Sequence, residues 1–320
     1  MGTVIYGELS VVEIAKRTLN KNVLEIAEVL AEQNDFIKDA VWQEANQLTS
    51  HKHVRRLALP HGTWRKFNKG VPTTVSQTID VVEDIGMLED YSEVDKKLIA
   101  LAKDKEAARW SEDKAHIEGL SQDFADVFIY GNRSLEPEKI NGLATRYNSL
   151  SNGNVWDAGG TGSDLTSIWI VQWGIDKVFL IYPRENETVG IGVKDLGEAT
   201  LEDANGGKFQ GYRTHFTIDV GLVIRDERCV QRICNIETSG TTNTFDPKLL
   251  VKALNHMPNK GKGAVIYVNE TIQSQMDNDA MDKANVLYTV KDLYGVPTTH
   301  FRTFPIHRID AILDTESAVT

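Results

Sequence analysis

The sequence has few cysteines and no long apolar run. Only Cys229 and Cys234 occur in 320 residues, and on a strand their odd separation would point them to opposite faces. A disulfide or a metal shared between them is therefore not expected. Apolar runs such as Ile168–Val171 are far too short to cross a bilayer, which needs about 20 apolar residues. With no signal-peptide pattern at the start, these features predict a reduced, cytosolic protein without a membrane segment.

Positive charge is also scarce. Lysine and arginine number 35 against 46 aspartate and glutamate, which gives a net charge of −11. A protein that binds duplex DNA through its phosphates normally has a basic face, so this binding is disfavoured. Hydrophobic residues are 41% and charged residues 25% of the chain, as in ordinary globular proteins. The length allows one large domain or two smaller ones with a buried core.

The few motifs that could bind a phosphate or a metal are incomplete. Gly159-Gly-Thr-Gly162 lacks the lysine and the following hydroxyl of a phosphate-binding loop, so a plain loop is predicted. His51 and His53, with His61 nearby, would share a strand face. No carboxylate or cysteine beside them completes a metal-binding set, and we expect solvent-exposed histidines.

Catalytic patterns are missing as well. Ser163-Asp164 and His215 could belong to a triad, but the sequence has no GxSxG motif. The carboxylates are spread along charged helix faces, and none is paired in apolar surroundings as an acid–base site requires. The sequence therefore predicts no catalytic, cofactor-binding or metal site, no cofactor and no enzyme activity.

The first 90 residues favour extended parts that pack on something else. Residues 1–53 read as mainly helical, with one helix from Asn22 to about Gln33. Val54–Leu59 and the alternating run of residues 75–85 predict a long β-hairpin. An isolated hairpin of this length is unstable in water, so it should lie on a neighbour.

The next stretch predicts one long, highly charged helix. Ser92 is a good N-cap, and no proline interrupts the residues that follow, which places this helix at 93–118. Asp126–Gly131 then reads as a short apolar strand ending at glycine. Residues 165–245 are rich in strand signals, including Ser167–Trp173 and Val178–Tyr182.

From residue 246 onward strands and helices alternate. Asp246-Pro247 begins a helix to about His256, Ala264–Val268 is a buried strand, and Glu270–Lys283 is a helix. Further strands are predicted at 286–290, 299–304 and 309–313. The fold class indicated is α+β.

Several stretches resemble one protein family nearly end to end. They are the long helix with the following Val127-Phe-Ile-Tyr-Gly131 and Pro137, Leu59-Pro-His-Gly-Thr-Trp-Arg65, Gly159–Gly174, Ile181-Tyr-Pro183, Arg228–Ile236 and Pro305–Leu313. In these segments the chain resembles the major capsid proteins of tailed, short-tailed (podovirus-type) double-stranded DNA bacteriophages. Those proteins have the Hong Kong 97-like fold.

The resemblance implies four structural parts. These are an N-terminal arm (1–53), an extended loop or E-loop (54–90), a peripheral domain (91–245) with the spine helix 93–118, and an axial domain (246–320). In the commonest form of the fold the axial domain follows the spine strand, the one after the spine helix, directly. The late strand–helix alternation here predicts a permuted connectivity instead.

The resemblance also implies function and partners. Copies would form pentamers and hexamers in an icosahedral shell around double-stranded DNA, which faces the inner surface without sequence-specific binding. A scaffolding protein, a portal and a decoration or cement protein are the implied partners, no membrane is involved, and the virion is assembled in the host bacterial cytoplasm. Two alternatives remain: an encapsulin-like nanocompartment shell, and a soluble α+β enzyme with a ligand site in the glycine-rich loop.

Two surface regions are predicted to contact other copies. The hairpin tip combines aromatic and basic residues, the types that dominate binding hot spots, and has no acidic residue. Its contact residues are Trp64, Arg65, Lys66, Phe67 and Lys69. A loop near a five- or six-fold axis is predicted at Gln275, Met276, Asp277, Asn278, Asp279 and Met281.

Overall fold

The computed structural model describes residues 18–19, 22–23, 34–184, 190–203, 205–281, 288–293 and 296–320. Most of the first 33 residues, with their predicted helices, lie outside these ranges. Within them, Thr18–Leu19 (β1) pairs with Asn22–Val23 (β2) in an antiparallel two-stranded sheet. Because Val23 lies in a strand, the predicted helix does not begin at Asn22.

The described chain combines α-helices with runs of consecutive β-strands. The helices are α1 (Phe36–Asp39), α2 (Lys96–Ile99), α3 (Lys105–Tyr130), α4 (Leu143–Arg146), α5 (Pro247–His256) and α6 (Glu270–Met281). The strands after β2 are β3 (Trp42–Glu44), β4 (Ser50–Ala58), β5 (Gln77–Asp84), β6 (Gly86–Asp95), β7 (Val155–Asp157), β8 (Leu165–Gln172), β9 (Val178–Tyr182), β10 (Ile191–Glu202), β11 (Lys208–Ile224), β12 (Val230–Glu237), β13 (Ala264–Val268), β14 (Tyr288–Leu293), β15 (Val296–Phe301) and β16 (Phe304–Arg308).

A seven-stranded mixed sheet forms one half of the molecule, in the order β14-β15-β16-β13-β8-β12-β7. Every residue of β8 is buried, because side chains alternate between two covered faces. Ile168 and Ile170 pack toward α5 and α6 with Leu254. Trp169 and Val171 join the main core on the other face. This sheet therefore separates two hydrophobic cores.

A five-stranded sheet forms the other half, built around the 17-residue strand β11. The first part of β11 lies between β10 and β6, and its last residues pair with β9. Phe216, Ile218 and Val220 on one face of β11 are buried in the main core. Short β3 adds to β9 in parallel.

Helix α3 contributes the side chains that join the two halves. Its 26 residues span about 39 Å at 1.5 Å per residue. Phe124 and Phe128 pack in the same core as Phe216 of β11 and Trp169 of β8. Phe36 of α1 stacks on Phe128 with ring centroids 4.2 Å apart. The main core thus lies along the C-terminal half of α3.

The observed limits of α3 correct the predicted helix 93–118. Ser92 lies in β6, which pairs with β11 along its whole length. The helix begins after Asp104, whose side chain accepts a hydrogen bond from the Ala107 N–H at 3.0 Å. Residues 127–130, predicted as a strand, are the last turn of α3. That turn is apolar because it is buried against the main core, so its composition resembles that of a strand.

The predicted division at residue 246 cuts through the seven-stranded sheet. Strand β13 pairs with β16 on one side and with β8 on the other, so segments before and after residue 246 share one sheet. The described strands of residues 246–320 therefore belong to the same sheet as β7, β8 and β12. Segment 309–313, predicted as a strand, forms a turn in which the Ile309 N–H donates to the Val268 carbonyl at 2.8 Å. The predicted helices from Pro247 and Glu270 and the strand Ala264–Val268 are confirmed.

A buried polar network fixes the C-terminal segment beneath α3. The side chains of Arg232 and Glu316 are each 5% exposed and form an ion pair at 2.9 Å. The hydroxyl of Tyr130, at the end of α3, donates to the other Glu316 oxygen at 2.6 Å. Arg232 also donates to Ser167 Oγ and to the Tyr147 carbonyl. Strands β8 and β12, α3 and the chain end are thereby connected.

Candidate functional site

The most prominent surface feature is a hairpin that projects from the five-stranded half. Strands β4 and β5 pair antiparallel from Ser50 and Asp84 to Ala58 and Gln77. Residues 59–76 between them form no strand or helix. The hairpin prediction is confirmed, although the paired strands run from residue 50 to 84, and residues 86–95 belong to the large sheet. We call residues 50–84 the extended hairpin.

The tip of the extended hairpin, residues 62–70, is exposed throughout. The side chains of Trp64 and Phe67 are 101% and 94% exposed. Arg65, Lys66 and Lys69 are exposed as well. Burial of a large apolar side chain normally contributes about 1.5–3 kcal/mol to stability, and neither of these exposed rings makes that contribution. Large exposed apolar groups of this kind mark surfaces that bind other molecules.

The base of the extended hairpin is firmly attached. Glu83 on β5 accepts two hydrogen bonds from the guanidinium of Arg146, both at 2.7 Å. Arg133 forms an ion pair with Asp84, and Arg55 with Glu227. Because the bidentate Arg146–Glu83 pair is directional, it helps to fix the angle at which the hairpin leaves the body.

Two histidines at the base correct a prediction. His51 and His53 share a strand face as expected, but they are buried at 7% and 5% exposure, not solvent-exposed. The reason is that this face of β4 packs on β9, where the His51 ring meets Phe179 edge-on at 5.4 Å. Desolvation by burial lowers the pKa of both imidazoles.

The predicted axis loop is a helix in the structure. Gln275 and Met276 lie within α6, and both have structural roles. The Gln275 amide donates to the carbonyls of Glu237 and Thr238, and Met276 is buried in the core beneath the helix. Sequence periodicity could have placed Met276 in that core. Asp277 and Asn278 are exposed on the same helix, where they are free to meet another molecule.

The glycine-rich loop uses its own backbone donors. The N–H of Gly160 donates to the Asn235 carbonyl at 2.9 Å, and that of Gly159 to Asp157 Oδ1 at 2.8 Å. These two N–H groups already have acceptors within the chain, and residues 158–164 form neither a helix nor a strand, as the prediction of a loop requires.

The other residues considered for chemistry do not come together. Asp164 precedes β8 and accepts from Ser239 Oγ, whereas His215 of β11 lies 3.0 Å from Glu89. Among the residues that the structure describes, no three His, Cys, Asp or Glu side chains are grouped as a potential metal site. The same residues include no helix long and apolar enough to span a membrane.

Comparison with known families decides the identity. The model of the family described as major capsid protein GP7 matches residues 19–320. The chain belongs to this family. It is a phage capsid protein that associates with itself to form the virion shell. Its role is structural.

Solved structures agree with this assignment. A chain in a structure of bacteriophage Epsilon15 is 32% identical, with a TM-score of 0.71, and the match covers 100% of this chain and 99% of that one. The fold of the capsid protein is Hong Kong 97-like.

More distant similarities have lower scores. A chain of Microbacterium phage Oxtober96 is 11% identical, with a TM-score of 0.47, over 71% of this chain and 99% of that one. A chain of the SrpI encapsulin complex from Synechococcus elongatus PCC 7942 is 9% identical, with a TM-score of 0.46, over 75% and 100%. The family match does not favour the encapsulin alternative. A search of curated proteins gives no match.

Sequence reasoning missed one basic surface. Lys260, Lys262 and Arg302 surround an open cavity of about 620 Å³ at the end of α5. The sequence does indicate a basic segment, because residues 247–269 contain four lysines and no acidic residue in a chain of net charge −11. Arg302 joins them only through the tertiary fold.

Proposed function

We propose that the capsid protein assembles as pentamers and hexamers, which tile an icosahedral shell around a double-stranded DNA genome. The observation that carries this proposal is the family match over residues 19–320. Each copy in such a shell makes similar contacts in slightly different surroundings. Many modest contacts per subunit then add up to a stable particle.

The extended hairpin is the proposed contact between neighbouring copies of one capsomer. Its tip has the basic residues Arg65, Lys66 and Lys69 and no acidic residue, while the whole chain is acidic. An adjacent subunit therefore offers complementary charge. Trp64 and Phe67 would become buried in that contact, where aromatic side chains dominate binding energy.

The seven-stranded sheet with α5 and α6 is proposed as the axial part of the subunit. The five-stranded sheet and the first half of α3 would form the peripheral part, so each part draws on separate stretches of the chain. The end of α6, with Asp277, Asn278, Asp279 and Met281, remains the proposed approach to the capsomer axis. Met276 is buried in the core, and the side chain of Gln275 is hydrogen-bonded within the subunit, so neither is part of this proposed contact.

Other partners follow from the proposed shell. A scaffolding protein, a portal and a decoration or cement protein would act with the chain during assembly in the host bacterial cytoplasm. DNA would face the inner surface without sequence-specific binding, which suits a chain of net charge −11. The proposed function is mechanical and uses neither a catalytic group nor a cofactor.

Negative-stain electron microscopy of the purified full chain tests the proposal. Closed shells, or rings of capsomer size, are the expected particles at high protein concentration or with a scaffolding protein. A monodisperse monomer under both conditions contradicts it.

A further inference from the structure

A basic surface stands out on this acidic protein. Among the described residues, the ammonium groups of Lys260 and Lys262 form no ion pair, and both side chains are exposed. Arg302, in the turn between β15 and β16, lines the same cavity. None of the described residues that line the cavity is acidic. Two lysines at the rim of the cavity therefore form no ion pair within the described part of the chain, and Arg302 adds a third positive charge to the lining.

The floor of the same cavity is apolar. It is formed by Leu254, Ala264, Phe304 and Pro305, and its volume is about 620 Å³. This space accommodates one or two apolar side chains. A surface that bound only phosphates would need the cations but not the apolar floor. The combination favours a protein segment with an apolar side chain next to carboxylates.

The backbone holds the basic rim in a fixed conformation. Asn259, Lys260 and Arg302 have φ values of 51°, 55° and 58°, in the left-handed region that non-glycine residues rarely adopt. The Lys260 N–H donates to the Met257 carbonyl at 3.1 Å. Such conformations cost free energy and cluster at functional sites.

A complementary segment lies elsewhere on the same chain. In the loop Asn132–Lys139, the side chain of Leu135 is 79% exposed, more than any other large hydrophobic described outside residues 54–90. Glu136 and Glu138 are exposed beside it, with Glu136 paired to Lys139 at 2.7 Å. The N–H groups of Leu135 and Glu136 both donate to the Asn132 carbonyl, so the loop is a compact turn that needs little ordering to bind.

The loop and the cavity belong to different surfaces of one subunit. The loop follows α3 and lies beside the base of the extended hairpin, whereas the cavity lies at the end of α5. A contact between two different surfaces of identical copies is head-to-tail, and repeating it closes a ring when the rotation allows. Rings of five or six copies need a contact of this kind.

We propose that the cavity receives the Asn132–Lys139 loop of a neighbouring copy in the same capsomer. Leu135 enters the apolar floor, and Glu136 and Glu138 meet Lys260, Lys262 and Arg302. This inference rests on the proposed pentamers and hexamers and adds a second contact to that of the extended hairpin.

Disulfide crosslinking of the full chain tests the placement. Leu135→Cys is combined with Thr303→Cys at the cavity rim. The native Cys229 and Cys234 are buried, and burial raises the pKa of each thiol to about 11, so they do not compete. Oxidised shells should give a ladder up to five or six copies on a non-reducing gel. Each single variant and the pair Leu135→Cys with Leu101→Cys should not.

Charge reversal tests the energetics independently. Lys260→Glu with Lys262→Glu, and Glu136→Lys with Glu138→Lys, should each lower shell yield about tenfold or more, because like charges then face each other. The four changes together should restore most of it. Reversal of the exposed Lys103 and Lys105 is the matched control and should leave the yield unchanged.

Three results separate the possibilities. If the wild-type chain forms no shells, the proposed function itself fails. If it does form shells and reversal at the cavity has no effect, this inference is overturned. If cavity reversal lowers the yield, the four-fold variant does not restore it and the pair Leu135→Cys with Thr303→Cys does not crosslink, the occupant is another molecule, such as DNA or a second protein, and the Leu135 loop is excluded.

Discussion

The region beneath α3 and the tip of the extended hairpin have opposite distributions of polar and apolar groups. Beneath α3, the charged side chains of Arg232 and Glu316 are buried, and their polar atoms have hydrogen-bond partners. At the tip, Trp64 and Phe67 are exposed. Polar groups inside and aromatic groups outside both reverse the usual arrangement.

The difference separates two tasks of one chain. The buried network is complete within a single copy, so it contributes to folding of the subunit. The tip is incomplete within a single copy, because its aromatic rings gain burial only when another molecule covers them. Changes in the first region should therefore alter the free energy of unfolding, and changes in the second should alter assembly.

Arg232→Met should have the largest effect on stability. It leaves the buried Glu316 carboxylate without its cation, and removing one partner of a buried pair typically costs about 3–5 kcal/mol. Denaturant unfolding of the isolated subunit measures this loss. Arg228→Ala breaks the exposed pair with Asp226 and should cost about 0–1 kcal/mol. Equal losses for the two variants would show that the buried network has no special role in folding.

Gly142→Ala should have the next largest effect. A Cβ at this position would lie 2.7 Å from backbone atoms of Ile129 and Val127, at the end of α3. Backbone at this distance must shift, and overpacking of this kind costs about 1–3 kcal/mol. Gly119 lies within α3, and a Cβ there would meet nothing within 4 Å. Gly119→Ala should therefore stabilise the folded subunit by about 0.5–1 kcal/mol. Opposite signs in thermal unfolding are expected, and destabilisation by both would contradict the packing argument.

The sequence predicted most elements but not the limits of α3. Strands β8 and β13 were predictable because each contains a short apolar run, which is typical of a buried strand. Both are fully buried in the structure. The charged residues 92–104 favoured helix, yet 92–95 complete β6, because pairing with β11 satisfies their backbone. Tertiary contacts override local preference at such boundaries. The shared sheet of segments before and after residue 246 likewise depends on long-range pairing.

The candidate contacts were predictable to different degrees. The extended hairpin was predicted because alternation and turn residues are local signals. The burial of His51 and His53 was missed, since it depends on how β4 packs on β9. The basic cavity was missed because Arg302 lies far in sequence from Lys260, and only the neighbouring β13 and β16 bring them together.

The base of the extended hairpin should contribute less to the free energy of unfolding at acid pH, because it contains two buried histidines. The folded-state pKa of both His51 and His53 lies below the usual 6.5, mainly because burial disfavours the imidazolium. Arg225 lowers both pKa values further. For His53, Glu83 opposes the lowering and Arg55 adds to it. Their contribution to stability is full above pH 6.5 and is lost as the pH falls below it.

A double variant that carries both His51→Gln and His53→Gln isolates this effect when it is compared with the wild type. The double variant should lose part of the decline in unfolding free energy between pH 7 and 5. His307→Gln is the control of opposite sign. A hydrogen bond to Asp39 raises the pKa of His307, so its contribution is present below pH 6.5 and is lost as the pH rises through the folded pKa. A pH profile of the double variant identical to that of the wild type would contradict the assignment.

Trp64→Ala and Arg65→Glu should have the smallest effect on the subunit and a large one on the shell. Both side chains are exposed, so the free energy of unfolding should change by no more than about 0.5 kcal/mol. Assembly should weaken, because the neighbouring copy loses an aromatic contact in the first variant and meets a reversed charge in the second. Thermal unfolding of the isolated subunit and shell yield per folded subunit are the two measurements. If the variants unfold the subunit and leave that yield unchanged, Trp64 supports the fold instead of the shell, and the separation of the two regions fails.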